Sequence, residues 1–251
     1  MSTSVKKVIS VGQVQFEDAM DLTDSYLLEI IKTRKTLHFW NAYCVSLAAE
    51  DSKFKDVASN PDSAVFADGA PVALVMWLKA RRTGKPLSRQ VRGTDFLRRV
   101  TLLATNEDFR QAFYGATPEV ILAMVKKLRI IGTSQSVVDA YSPAFGADLT
   151  GLVEEISSRV SKNKPDLVWL GLGTPKQDHV AIRLSKLHPK TTFACVGAAF
   201  DFYAGHKREA PVFVQKLGFE WFFRLLSEPK RLWRRYLVGN VKFLIKVSRS
   251  R

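Results

Sequence analysis

Asp68 stands in Ala67-Asp68-Gly69, just after the apolar run Ala64–Phe66. A carboxylate at a strand end, ahead of a glycine, suits a general base that takes the proton from an attacking hydroxyl. The same residue equally suits a cap on a helix over Ala70–Lys79. Asn41 closes Phe39-Trp40-Asn41 and offers an amide donor and acceptor to a sugar hydroxyl or a base, or else caps a helix over Tyr43–Glu50. Further on, Gly171-Leu172-Gly173-Thr174-Pro175-Lys176-Gln177 separates a strand-like run from a helical one. Gly171 and Gly173 let backbone N–H groups approach an anion, and the helix N-terminus that follows favours negative charge, so Lys176 and Gln177 are candidates to border a diphosphate. A plain strand-to-helix turn is the alternative. The stretch is no P-loop, and a residue other than glycine occupies the third position of GxGxxG. Asp201, between Phe200 and Phe202, offers a carboxylate to a sugar hydroxyl, or is a turn residue satisfied by its own backbone.

The last stretch is basic and aromatic. Arg224, Arg231 and Arg234 lie among Trp221, Phe222, Phe223, Trp233 and Tyr236. Guanidinium groups bind phosphates bidentately. Arg224 and Arg231 share a helix face only if the helix continues past Pro229. The chain has 251 residues with 38 Lys+Arg, 24 Asp+Glu and a formal charge of +14. From Ala204 to Arg251 there are 12 basic and 3 acidic residues, so a net +9 sits in the final 48. Such a charge calls for an anionic partner. A basic amphipathic segment carrying aromatics has the composition of an interfacial membrane helix, although ordinary core packing with a solvated basic face gives the same pattern. Nucleic-acid binding is the alternative from composition, but no helix-turn-helix, RRM or zinc pattern is present. A dinucleotide oxidoreductase lacks both its glycine fingerprint and an acid about 20 residues on.

These residues need a scaffold. Apolar, β-branched or aromatic runs predict strands over Val8–Phe16, Thr36–Tyr43, Ala64–Ala67, Phe109–Tyr114, Leu128–Gly132, Asp166–Leu172 and Thr191–Val196. Helical periodicity predicts Asp18–Thr33, Pro118–Leu128, Leu149–Val160 and Gln177–Leu187. The alternation argues for an α/β fold, a Rossmann-like mostly parallel sheet flanked by helices, whose ligands sit beyond the carboxyl ends of the strands. Near Ala204 the texture turns to helices over Gly218–Arg235 and Val238–Arg249. The division expected is a core over 1–205 and a basic helical, membrane-binding appendage over 206–251. Cys44 and Cys195 lie singly in apolar runs and read as buried thiols of a reducing compartment. The N-terminal residues lack an apolar signal core, so a cytoplasmic protein is expected.

The run Gly171–Leu237, with its GxPKQ, FDF and EWxxRLxxEPxRxxRRY elements, resembles the signature of the WecG/TagA/CpsF glycosyltransferase family. Ala67-Asp68-Gly69, Gly84-Lys85-Pro86-Leu87 and Gly93-Thr94-Asp95 match its N-terminal half. The resemblance implies an inverting, metal-independent enzyme that needs no cofactor. It would move a sugar from a UDP-sugar to a lipid-diphosphate-linked acceptor sugar at the inner, cytoplasmic face of the membrane, in cell-surface polysaccharide synthesis. UDP-glucose and UDP-N-acetylmannosamine, or its uronic acid, are the donors it allows. It also implies a peripheral contact with an anionic membrane surface, no nucleic acid, and leaves a homo-oligomer open. By the resemblance the catalytic base falls on Asp68, sugar and nucleotide contacts on Asn41, Gln177 and Asp201, and diphosphate-reading arginines on Arg224, Arg231 and Arg234. Two positions depart from the pattern: Phe39 replaces a usual Thr and Gln90 a usual Arg, both expected near a sugar.

Overall fold

A computed structural model of the chain describes residues 8–18, 22–33, 35–82, 90–107 and 109–249. In chain order the elements are β1 (Val8–Val11), β2 (Val14–Glu17), α1 (Asp24–Thr33), β3 (Thr36–Trp40), α2 (Ala42–Ala48), α3 (Ser52–Ser59), β4 (Ser63–Ala67), α4 (Ala70–Arg82), α5 (Gly93–Asn106), β5 (Gln111–Gly115) and α6 (Pro118–Ile130). They continue as β6 (Val137–Tyr141), α7 (Leu149–Asn163), β7 (Leu167–Gly171), α8 (Lys176–Leu187), β8 (Thr192–Cys195), α9 (Ala199–Ala204), α10 (Val212–Lys216), α11 (Glu220–Ser227), α12 (Pro229–Trp233) and α13 (Gly239–Arg249). A π-helical turn over Arg234–Val238 joins α12 to α13. Six strands form one sheet in the order β4-β3-β8-β7-β5-β6, and the pairs from β3 through β6 are parallel. The α/β class read from the alternation of strands and helices holds.

The chain packs into two compact units, one made of 1–21, 39–92 and 209–251, the other of 22–38 and 93–208. In the second unit the sheet is covered on both faces. Side chains alternate across β7, as the two-residue period of a strand requires. Val168 and Leu170 join Leu152, Ile156, Val180 and Leu184 of α7 and α8 in one apolar cluster. Trp169 instead packs against Phe113, and the edge of Phe96 meets it at 6.1 Å. The indole N–H of Trp169 donates to Gln111 Oε1 at 2.8 Å, and Gln111 Nε2 donates to Ser136 Oγ at 3.1 Å, so this buried polar chain is satisfied.

The chain leaves β5 toward β6 and leaves β7 toward β8, in opposite directions along the sheet. The carboxyl ends of β5 and β7 therefore flank the crevice where such sheets bind ligands. Both strands end on glycine. A Cβ on Gly115, whose φ is +137°, would lie 2.5 Å from the carbonyl carbon of Gly171. A Cβ on Gly171 would lie 2.7 Å from the ring of Phe200, which is fully buried.

In the first unit β1 and β2 form an antiparallel hairpin with Val11 opposite Val14. The predicted single strand over Val8–Phe16 is thus two strands. Gly12, with φ +62°, supplies the left-handed conformation that a two-residue turn needs. Trp40 stacks on Phe54 at 4.4 Å, and Phe39 on Phe66 at 5.4 Å. The C-terminal helix returns onto α2. Ser46 Oγ donates to the Gly239 carbonyl, Lys246 reaches the Ser46 carbonyl and Glu50, and Phe243 is fully buried.

Two further expectations differ. Leu128–Gly132 is no strand: Leu128 belongs to the buried stripe Val120, Ile121, Met124 and Leu128 of α6, while Ile130 is 83% exposed at that helix's end. A short apolar run fits either element until its neighbours are known. Strand β6 was not anticipated, because its half-buried residues, Asp139 among them, make no continuous apolar run.

Gly115→Ala is expected to destabilise the fold by about 3 kcal/mol, since backbone must move and the left-handed region disfavours a side chain. Urea denaturation measures this, and a loss below 0.5 kcal/mol, on the order of a surface substitution, would contradict the close approach.

Candidate functional site

The first unit contains a cleft of about 550 Å³, open solvent included. Its wall brings together the end of β4, the start of α2, Gln90 and the C-terminal helices. Asp68 lines it and is half-buried. The Asp68 N–H donates to the Trp40 carbonyl at 3.0 Å, which holds the strand end in place. The first helical bond of α4 runs from the Ala73 N–H to the Gly69 carbonyl, so Gly69 and not Asp68 is at the cap position. Asn41 lines the same cleft. Its Oδ1 accepts from the N–H groups of Tyr43 at 3.0 Å and Cys44 at 3.3 Å, making it the N-cap of α2. The cap uses the oxygen and leaves the Nδ2 donor for a ligand.

From the C-terminal segment, Gln215, Gly218, Glu220, Trp221, Arg224, Tyr236 and Asn240 line the cleft. Arg224 is thus in one wall with Asp68. The helix does not continue past Pro229: Glu228, at φ −135° and ψ 61°, ends α11 before α12 begins. Arg224 and Arg231 therefore do not share one helix face. The Arg231 side chain lies outside the described residues, as do the Gly84–Leu87 element and Arg89. Arg234 is exposed, with its guanidinium 5.2 Å from the Trp233 ring. Phe39 is 7% exposed in the core and does not line this cleft, whereas Gln90 does.

An ion triad braces the wall. Arg92 Nε donates to Glu220 Oε2 at 3.0 Å, and its Nη2 to Glu220 Oε1 at 3.1 Å and Glu209 Oε2 at 3.3 Å. The three side chains are only 12–19% exposed. Sequence reasoning passed over Gln215 and Asn240, which carry no motif of their own; Gln90 was singled out as a departure from the family pattern, with Arg89 and Arg92 beside it, but without the ion triad that Arg92 makes. Trp221 and Tyr236 were read as part of an interfacial aromatic stretch, and their place in the EWxxRL…RRY run was the available signal.

The second unit holds the Gly171–Gln177 loop. Gly173 has φ +80° and open space around its Cα, so it is there for conformation and Gly171 for room. The Gly173 N–H donates to Gln177 Oε1 at 3.1 Å, and the Gln177 N–H donates to the Gly173 carbonyl at 2.9 Å. Two of the N–H groups expected to face an anion are bonded within the loop. Lys176 Nζ donates to the Ala147 carbonyl at 2.7 Å. Asp201 is in the first turn of α9, 3.8 Å from Lys207 Nζ, and its backbone carbonyl accepts from His206 and Lys207.

Beneath that loop lies a buried cluster of His38, Asp178 and Cys195. His38 Nδ1 and Asp178 Oδ1 are 2.7 Å apart. Two ligands of one tetrahedral zinc stand about 3.3 Å apart, as bonds near 2.0–2.1 Å require. Burial, and after it the charge of Asp178, push the Cys195 thiol well above its ordinary range, which keeps it protonated rather than a metal-binding thiolate. The cluster has the chemistry of a hydrogen-bonded core.

A model of the glycosyl transferase WecG/TagA/CpsF family matches residues 8–251. The chain belongs to this family, and the resemblance carried by its C-terminal elements holds. Two similar proteins, from Bacillus spizizenii and Bacillus subtilis, are each N-acetylglucosaminyldiphosphoundecaprenol N-acetyl-beta-D-mannosaminyltransferases. Each is 28% identical over 190 residues, which is 76% of this chain and 70% of the relative.

Arg92→Met is expected to cost roughly 2–3 kcal/mol in a denaturant melt, because two half-buried carboxylates lose their shared cation. An unchanged midpoint would show that the triad does not hold α11.

Proposed function

We propose that this chain is an inverting transferase that moves a sugar from a UDP-sugar to a lipid-diphosphate-linked acceptor sugar at the cytoplasmic face of the membrane. The observation that carries the reading is the shared cleft of Asp68 and Arg224, a base and a phosphate-binding cation brought together from distant parts of the chain. Asp68 takes the proton of the acceptor hydroxyl as that oxygen attacks the anomeric carbon. The bond from that carbon to UDP breaks, and its electron pair leaves on the diphosphate. A single displacement from the opposite side inverts the anomeric centre. Arg224 holds the acceptor diphosphate, which places the attacking oxygen. The names of the Bacillus relatives favour N-acetylmannosamine as the transferred sugar and an N-acetylglucosaminyl lipid diphosphate as acceptor.

A panel of UDP-sugars offered with a short-chain lipid-diphosphate-N-acetylglucosamine tests the reaction. Asp68→Asn is expected to lower kcat by on the order of 10²–10⁴ without loss of folding. Turnover within a few-fold of the unaltered protein excludes Asp68 as the base.

The membrane contact belongs to the C-terminal helices in this reading. Among the described residues no helix is long and apolar enough to cross a membrane. Phe213, Leu217, Phe222, Leu226, Leu237 and Leu244 are each 47–68% exposed in a segment rich in Lys and Arg. Apolar side chains of this kind sink into the headgroup boundary while the cations meet anionic lipid. The double variant Leu226→Glu, Leu244→Glu should pellet at least ten-fold less with phosphatidylglycerol vesicles, yet turn over a short-chain acceptor normally. Undiminished pelleting places the contact elsewhere.

A further inference from the structure

We propose that Trp221 is the surface on which the acceptor's first sugar lies, making the cleft beside Arg224 a subsite for an uncharged pyranose 1-diphosphate. The inference rests on the transfer reading above and names the part of the cleft that reads the sugar. Trp221 and Arg224 both line the cleft, three residues apart on α11. Side chains at that spacing stand on one helix face, with Cβ atoms about 5–6 Å apart. A pyranose ring and the phosphate on its anomeric oxygen are separated by a similar distance. The helix therefore presents an apolar aromatic ring and, one turn on, a guanidinium in the order that a sugar diphosphate presents its ring and its charge.

The indole packs against two rings. Its centroid is 5.8 Å from Phe222, edge to face, and 6.2 Å from Tyr236, which is only 8% exposed. Tyr236 is carried by the π-helical turn, and such turns recur at functional sites. A fixed aromatic ring binds the C–H face of a sugar with little loss of side-chain freedom. Gln90, Gln215 and Asn240 also line the cleft, and the Gln215 Nε2 donates to the Ala210 carbonyl at 2.6 Å. Each carries donors and an acceptor, which suits hydroxyl and acetamido groups. Of the acids that line the cleft, Glu220 is taken up by Arg92, and Asp68 disfavours an anionic sugar beside it.

The test is a calorimetric titration of the full chain with two short-chain probes, a lipid diphosphate bearing N-acetylglucosamine and the same lipid diphosphate without sugar. The unaltered protein is expected to bind the sugar-bearing probe at least ten-fold more tightly. Trp221→Leu should lose most of that preference while binding the sugarless probe within two-fold of the unaltered protein, and Trp221→Phe should restore most of it. A ten-fold preference that survives in Trp221→Leu, or no preference in the unaltered protein, overturns the proposal. A merely structural role would instead weaken both probes together and also overturns it. The titration needs no turnover, so it is decided even if the UDP-sugar panel shows no transfer.

Discussion

Arg92 divides its guanidinium between Glu220 and Glu209, and the cleft wall depends on that division. Glu220 is the first residue of α11, so fixing its carboxylate fixes the first turn of the helix, with Trp221 beside it and Arg224 one turn along. A hydrophobic contact would not set the helix's rotation as closely, because apolar surfaces slide over one another at little cost. A planar fork against a carboxylate has one good geometry. Partly buried ion pairs contribute little net stability against an apolar replacement, and their best-attested use is to set register. The triad fits that use: it orients a short helix that has no fully buried residue and so could not orient itself by burial.

Two glycines, one at the carboxyl end of β7 and one just beyond it, show how one residue type serves different needs. Gly171 is small because the Phe200 ring takes up the space, while Gly173 needs its positive φ to turn the chain into α8. Gln177 then closes the turn on itself through both its side chain and its N–H. The loop is thus a braced turn, and any anion it meets is met by the N–H groups left over. The buried His38–Asp178 pair lies one residue beyond Gln177 and ties the start of α8 to β3.

The α/β class, the parallel sheet and the family were legible before any coordinates. The strand Leu167–Gly171 is buried on both faces and so reads as an unbroken apolar run, while the helix Leu149–Asn163 buries one apolar face whose period survives in the sequence. Asp68 and Arg224 were legible as well, from residue type at a strand end and from the arginine-rich run. Edges and ends were not. Strand β6 is half-buried throughout, and the end of α6 carries exposed isoleucines, so local hydrophobicity misassigned both. The break at Glu228 was foreseeable only as a condition on Pro229, because proline is tolerated in the first turn of a new helix as readily as it ends an old one.

By itself the sequence determined which side chains have the chemistry: a carboxylate after β4, an amide after β3, a glycine turn after β7 and arginines near the C-terminus. Those follow from residue type and local period, which are properties of short stretches. Tertiary structure decided which of them meet. It grouped 209–251 with 39–92, put Arg224 and Trp221 in one cleft with Asp68, turned Asn41 into a cap that uses only its side-chain oxygen, and moved Phe39 into the core while leaving Gln90 at the wall. The reason is that a cleft wall is assembled from contacts between residues far apart in the chain, and the energies that choose those contacts are spread over cores, ion pairs and close backbone approaches that no single stretch encodes.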